Sequence, residues 1–145
     1  MAEGDIEVAL EGYEAWNRGD LQWLLDHASP QYVWRPAQTF PGIDAVYGGR
    51  AGFEKFWSTF REPWESLRIE VDRVEDLGDA VLALFTFHGK GRDSGVEVTL
   101  RMANVLRFRD GLAVEHVSYA DWDSALEATG FAPARRRGSD DTEEE

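Results

Sequence analysis

Asn104 is the one polar residue on a strand face otherwise made of Val96, Val98, Leu100, Met102, Leu106 and Phe108. An amide on such a face is costly to bury without a partner, and it can donate a hydrogen bond to an oxyanion. His116 and Ser118 interrupt a second face, shared with Leu112, Val114 and Ala120. An imidazole, with its ordinary pKa of roughly 6.5, suits proton transfer near neutral pH. His116 also suits the blander role of a histidine hydrogen-bonded in a wet cavity, which is the commoner case. Asp121 follows the last strand, where a carboxylate is either an acid at a pocket mouth or, more often, a helix N-cap. A third strand places Leu84 and His88 with Ala80, Leu82 and Thr86, although Val81, Phe85 and Phe87 opposite are apolar too. His88 near a strand end also reads as a solvated turn residue, and His27 reads as surface. The three histidines show no metal-ligand spacing, and no phosphate loop or nucleophile elbow is visible; no metal or cofactor site is expected.

These residues need elements to carry them. "DIEVALEGYEAWNRGD" is a helix, with Ile6, Ala9, Leu10, Tyr13 and Trp16 at helical spacing, Asp5 as N-cap and Gly19 as terminator. Asp20 caps a second short helix, "LQWLLDHA", with Leu21, Leu24 and Leu25 inward, and "SPQ" breaks it before the strand "YVWRP". Strand alternation puts Tyr32 and Trp34 on one face, Val33 and Arg35 on the other. A long loop runs from Gln38 to Gly49 and suits a lid. Phe53, Phe56, Trp57 and Phe60 then recur at i, i+3, i+4 and i+7, a strongly amphipathic helix ended by Pro63. From there the period is two. Four strands follow, joined by "LGD", "RDSG" and the hairpin pair Asp110-Gly111, and "DWDSALEATG" closes with a helix capped by Asp121 or Asp123 and ended by Gly130. Helices followed by an antiparallel meander define an α+β fold. A curved antiparallel sheet wrapped around the N-terminal helices leaves a cone, and that cone is a natural apolar pocket.

Composition sets the outer limits. The chain has 145 residues with 15 basic and 28 acidic side chains, a formal net charge of −13. That excess argues against nucleic acid and against anionic membrane surfaces as partners. Six Trp and eight Phe favour a bulky interior or an aromatic-lined cavity. There are no cysteines, so disulfides, thiol nucleophiles and zinc-thiolate sites are excluded. The N-terminus shows no basic segment followed by a long apolar run, and a cytoplasmic protein is expected. Residues 1–132 read as one domain, and 133–145 as a disordered charged tail.

The segments "WNRGDLQWLLDHASPQYVWRP", "YGGRAGFEKFW", "VEVTLRMANVLRFRDGLAVEH" and "ALEATG" resemble the nuclear transport factor 2-like superfamily, in particular its polyketide-cyclase (SnoaL-like) branch. The resemblance spans most of residues 5–130. It implies fold rather than activity, because similar sequences include isomerases, cyclases, dehydratases, epoxide hydrolases and non-catalytic proteins. It implies that Asn104 stands where ketosteroid isomerases keep a protonated acid, and that Tyr13 falls near their first-helix tyrosine. Where those enzymes carry a carboxylate base, this chain has Arg35. The isomerase register would turn Arg35 inward; plain alternation and the register of similar epoxide hydrolases turn Tyr32 and Trp34 inward. The second is preferred, since arginine is costly to bury unpaired. Some similar cyclases place an acid near Asp121.

Three readings follow. The first is a cofactor-independent isomerase, cyclase or dehydratase of an apolar carbonyl-bearing substrate. In it His116 or Asp121 moves the proton and Asn104 with Tyr13 steadies the oxyanion, while Tyr13, Trp16, Tyr32, Trp34, Phe56, Leu84, His88 and Met102 line the site. The second is a non-catalytic binder of a small apolar molecule. The third is a structural homodimer with an incidental cavity, paired through the outer face that carries Glu97, Thr99, Arg101, Ala103 and Val105. Asn104→Leu is expected to weaken ligand binding by about 1–3 kcal/mol and to leave the free protein unharmed or more stable.

Overall fold

A computed structural model describes residues 2–37 and 43–131. The expected charged tail, and part of the expected lid, lie outside the described residues. The elements are α1 (Ala2–Arg18), α2 (Leu21–Asp26), β1 (Ala28–Arg35), β2 (Tyr47–Gly48), α3 (Gly49–Arg61), β3 (Trp64–Asp76), β4 (Val81–Gly91), β5 (Glu97–Arg109), β6 (Leu112–Tyr119) and α4 (Trp122–Thr129). One curved, open sheet of six strands has the order β2-β1-β6-β5-β4-β3. Strands β3 to β6 form the antiparallel meander, and the fold is α+β. β1 joins β6 in parallel, a pairing that alternation within β1 could not show.

Local chemistry explains most boundaries. Gly19, at φ +77°, ends α1, and Asp20 caps α2 by accepting from the Trp23 backbone N–H. Asp110 and Gly111 both take positive φ, +56° and +80°, as a tight hairpin turn between twisted strands requires. Two expectations shift. α1 begins at Ala2, so Asp5 lies inside the helix rather than capping it. Ser29, Pro30 and Gln31 do not end before β1; they form an irregular stretch inside it, between Ala28, which pairs with Ala113, and Val33, which pairs with Glu115.

Bulges bend the sheet and re-aim its side chains. In β3, Val71 pairs with Phe85 and Arg73 with Leu84, so Asp72 is the extra residue; Ile69, Val71 and Val74 all then pack against the cluster of Ala9, Tyr13, Val81, Ala83 and Leu106. In β6, Arg107 faces Glu115 and Phe108 faces Ala113, so Val114 is extra. The inward set of β6 is therefore Ala113, His116 and Ser118, not the Leu112–Val114 series that strict alternation implies. The exposed edge of β3 is partly closed by Asn17, whose amide donates to the Ile69 carbonyl and accepts from its N–H, at 2.8 and 2.7 Å. This docks the end of α1 on the sheet and satisfies edge groups.

The core has two sides. On the concave side Trp16, Trp34, Phe53, Phe56, Phe60, Phe87 and Met102 form one aromatic cluster. Burial of Phe53, Phe56 and Phe60 contributes about 1.5–3 kcal/mol each and holds α3 against β1. On the convex side α4 packs Ala125 and Leu126 over Ala80, Leu82, Leu84, Ala103 and Val105. Trp122 fixes that helix, its Nε1 donating to the Phe85 and Met102 carbonyls at 3.2 and 3.0 Å.

Candidate small-molecule site

Between the concave sheet face, α1, α2 and α3 lies a cavity of about 140 Å³. Apolar cavities of roughly 150 Å³ take up benzene, so this one admits at least an aromatic ring. Its wall carries Tyr13 and Trp16 from α1, Tyr32 and Trp34 from β1, Phe56 from α3, and Met102 and Asn104 from β5. Tyr32 and Trp34 are the inward pair of β1, and Arg35 is exposed. No Asp, Glu, Lys or Arg lines it among the described residues.

Three expected site residues stand elsewhere. Leu84 points to the convex face under α4, and His88 bonds Glu70 through Nε2 at 3.0 Å on that same outer face. The face of β4 that meets the cavity is the opposite one, Phe85 and Phe87. The physical reason is the ladder: Phe85 is paired with Met102, which puts both on the concave side, while Thr86 and His88 stay with Arg101 and Thr99. Asp121 is exposed and caps α4, accepting from the Ser124 N–H at 2.7 Å; that bond holds its carboxyl below its usual range. It is a helix cap, not an acid at the mouth.

Within the cavity the polar groups form an ordered chain. Trp34 Nε1 donates to Ser118 Oγ at 3.0 Å, Ser118 Oγ donates to Asn104 Oδ1 at 2.7 Å, and Asn104 Nδ2 donates to Tyr13 Oη at 2.8 Å. Donor inventory sets this direction. Indole N–H can only donate, so Ser118 uses its lone pair on Trp34 and its proton on Asn104; Asn104 must then turn its oxygen to Ser118 and its amide to Tyr13. Tyr13 Oη therefore accepts, and its own proton has no acceptor among the described residues. Burial raises the Tyr13 pKa, only partly offset by the Asn104 bond. The phenol stays protonated, a donor sharpened by the amide behind it.

His116 is a different case. It is buried and stacked on Trp34 at 4.0 Å and 12°. Its Nδ1 lies 3.0 Å from Tyr32 Oη, and its Nε2 has no partner. If Tyr32 donates to Nδ1, only the Nε2 proton is left over. The reverse arrangement would orphan the Tyr32 proton and the Nε2 lone pair together. The first is the cheaper. Burial pulls the His116 pKa down to about 3 and raises that of Tyr32, so both are neutral and His116 carries its hydrogen on Nε2. A group in that state is a weak base, and this geometry does not place His116 as the proton acceptor.

Several wall residues are not among those the sequence assigns to the site: Trp23, His27, Ser118, Ile69, Phe85 and Phe87. His27 is not surface; it is half-buried and lines the cavity. Ser118 shared the His116 face in the sequence, which was the available signal. Ile69 falls inward by plain alternation, opposite Phe87 of β4, on the same face as Leu67 and Val71; the bulge at Asp72 adds Val74 to that face. Trp16 is packed from outside by Arg61, whose Cζ sits 5.4 Å from the Trp16 ring and 4.3 Å from the Trp57 ring.

The SnoaL-like domain model matches residues 9–116, well over half of the chain, and the protein belongs to this family of nuclear transport factor 2-like folds. No curated protein matches the sequence. Among solved structures, the chain is similar to TerC co-crystallised with polyporic acid, at 21% identity and a TM-score of 0.73, covering 88% of this chain and 98% of that one. It is similar to a nuclear transport factor 2-like protein of unknown function from Burkholderia pseudomallei, at 22% identity and a TM-score of 0.75, covering 86% and 95%. A ketosteroid isomerase-like protein from Catenulispora acidiphila, in complex with trimethylamine, gives 19% identity and a TM-score of 0.69, covering 88% and 95%. At these identities the likeness speaks for fold. No helix of the described residues is long and apolar enough to cross a membrane.

Proposed function

We propose that the protein binds a small apolar molecule through its carbonyl oxygen and acts on it in cyclase-type, proton-moving chemistry. One observation carries the reading: the chain Trp34–Ser118–Asn104–Tyr13 ends on a hydroxyl proton with no acceptor among the described residues, on a side chain that lines an aromatic cavity. An incidental cavity has no use for such a donor, and a ligand oxygen satisfies it. When an enolate forms, the negative charge on that oxygen strengthens the Tyr13 bond, which is the differential stabilisation catalysis needs. Names of several structural relatives point to polyketide cyclisation, and polyporic acid in TerC is in keeping with a carbonyl-bearing ring ligand.

The test is a pair of probes of nearly equal shape, 2-indanone and indane, titrated into the protein. The ketone should bind at least 10-fold more tightly, about 1.4 kcal/mol, and Tyr13→Phe should erase the difference. Equal affinities for the two probes in the native protein would overturn the reading.

A further inference from the structure

Carbonyl polarisation needs a base to be useful, and the cavity wall contains no carboxylate among the described residues. The two histidines on that wall are held in opposite tautomers. His116 carries hydrogen on Nε2, as argued above. His27 has Nδ1 2.8 Å from the Trp23 carbonyl oxygen. A carbonyl only accepts, so Nδ1 of His27 must carry the hydrogen, and in the neutral ring Nε2 is a lone pair. With Nδ1 turned back to the helix, Nε2 lies on the opposite edge of the ring, where it has no partner among the described residues and is not buried.

The ring is held by more than that bond. It stacks on Trp23 at 3.7 Å and 16°. The His27 backbone N–H closes α2 on the Trp23 and Leu24 carbonyls, and its own carbonyl accepts from Ala113 of β6 at 2.8 Å. Trp23 in turn packs on Gly12, the residue before Tyr13; a Cβ there would lie 3.7 Å from the indole. The Trp23 ring is therefore the shared neighbour of the imidazole and of the turn of α1 that carries the phenol. Such anchoring fixes a base before substrate arrives and avoids reorganisation during the reaction.

We propose that His27 is the general base of this site, taking a proton from the carbon next to the substrate carbonyl while Tyr13 holds the resulting enolate oxygen. The inference rests on the carbonyl-binding reading above. The step is balanced. The His27 Nε2 lone pair takes the proton, the C–H electron pair moves into the new carbon–carbon double bond, and the carbonyl electrons move to the oxygen bonded by Tyr13. Return of the proton to the same or another carbon regenerates neutral His27, so no oxidant or cofactor is needed.

The test is deuterium exchange into the CH₂ groups of 2-indanone in D₂O, followed by proton NMR beside a binding titration of the same probe. The native protein should speed exchange, and His27→Gln should reduce that rate at least ~100-fold while changing the 2-indanone Kd less than 3-fold. His88→Gln, on the convex face and outside the cavity, should retain the exchange rate. Nitrogen-15 NMR of the native protein should show His27 with hydrogen on Nδ1, a readout that needs no variant to fold. Binding without exchange, exchange that survives His27→Gln, or His27 with hydrogen on Nε2 would each overturn the proposal and leave the carbonyl-binding reading standing. Failure of 2-indanone to bind more tightly than indane would overturn that reading and this proposal with it.

Discussion

Replacing Asn104 by leucine breaks two hydrogen bonds at once. Asn104 is only 4% exposed, donates to Tyr13 at 2.8 Å and accepts from Ser118 at 2.7 Å. Considered as an isolated polar residue on an apolar face, it ought to be removable without loss of stability. The structure reverses that expectation, because its partners are protein groups. Leucine leaves the Ser118 proton without an acceptor and the Tyr13 oxygen without its donor. Each buried group left unpaired costs about 1–3 kcal/mol. Ser118 is half-buried and recovers part of its loss from water, so the sum comes to about 2–4 kcal/mol. Urea unfolding of the native protein and the variant measures this directly, with the slope checked for constancy. The double variant Asn104→Leu/Ser118→Ala should recover nothing, since removing the orphaned Ser118 hydroxyl also takes the acceptor from Trp34 Nε1. Asn104→Leu should also weaken 2-indanone binding, because Tyr13 loses the amide that polarises it. A variant as stable as the native protein would show that the Trp34–Ser118–Asn104–Tyr13 chain does not hold together in solution.

Other predictions follow from the same geometry. His116, with a pKa of about 3 when folded against 6.5 when free, is uncharged in the folded state over a range where the unfolded chain takes up a proton. Its contribution to stability is full above about pH 6.5 and is lost progressively as the pH falls toward 3, by up to ~5 kcal/mol; urea titrations across that range should show the slope, and His116→Phe should flatten it. Asp121→Ala should lower the melting temperature by loss of the α4 cap and leave 2-indanone affinity unchanged, and a changed affinity would return Asp121 to the site. We propose that two copies pair through the convex sheet face beside α4, where Thr86 and His88 of β4 lie against Arg101 and Thr99 of β5; light scattering at micromolar concentration should give twice the monomer mass, and the monomer mass would refute it.

The order of elements was legible because each carries a local signal: the aromatic repeat of α3, the period of two in β3 to β6, Asp110-Gly111 at the last hairpin. So was the inward pair Tyr32 and Trp34, since a permanently charged Arg35 opposes burial. What failed to show locally is what pairing and bulges decide. β4 is apolar on both faces because it is central and covered by α4 on one side and by α1 and α3 on the other; only its register with β5 tells that Phe85 and Phe87 face the cavity while Leu84 and His88 do not. Val114 bulges out of β6 and brings Ala113 into line with His116, which strict alternation cannot express. His27 reads as surface because it follows a short helix; its place on the wall comes from its stacking on Trp23 and its Nδ1 bond to the Trp23 carbonyl. Asp121 was weighed as acid and as cap, and nothing but its distance from the cavity could choose.

The central claim is that Tyr13 donates its proton to a ligand carbonyl. Infrared spectroscopy of 2-indanone labelled with carbon-13 at the carbonyl tests it most directly. Bound to the native protein, the carbonyl stretch should move to lower frequency than in an apolar solvent, by an amount typical of a phenol donor, and in Tyr13→Phe the band should return to the apolar position. A bound ketone whose carbonyl stretch is the same in both proteins would contradict the account.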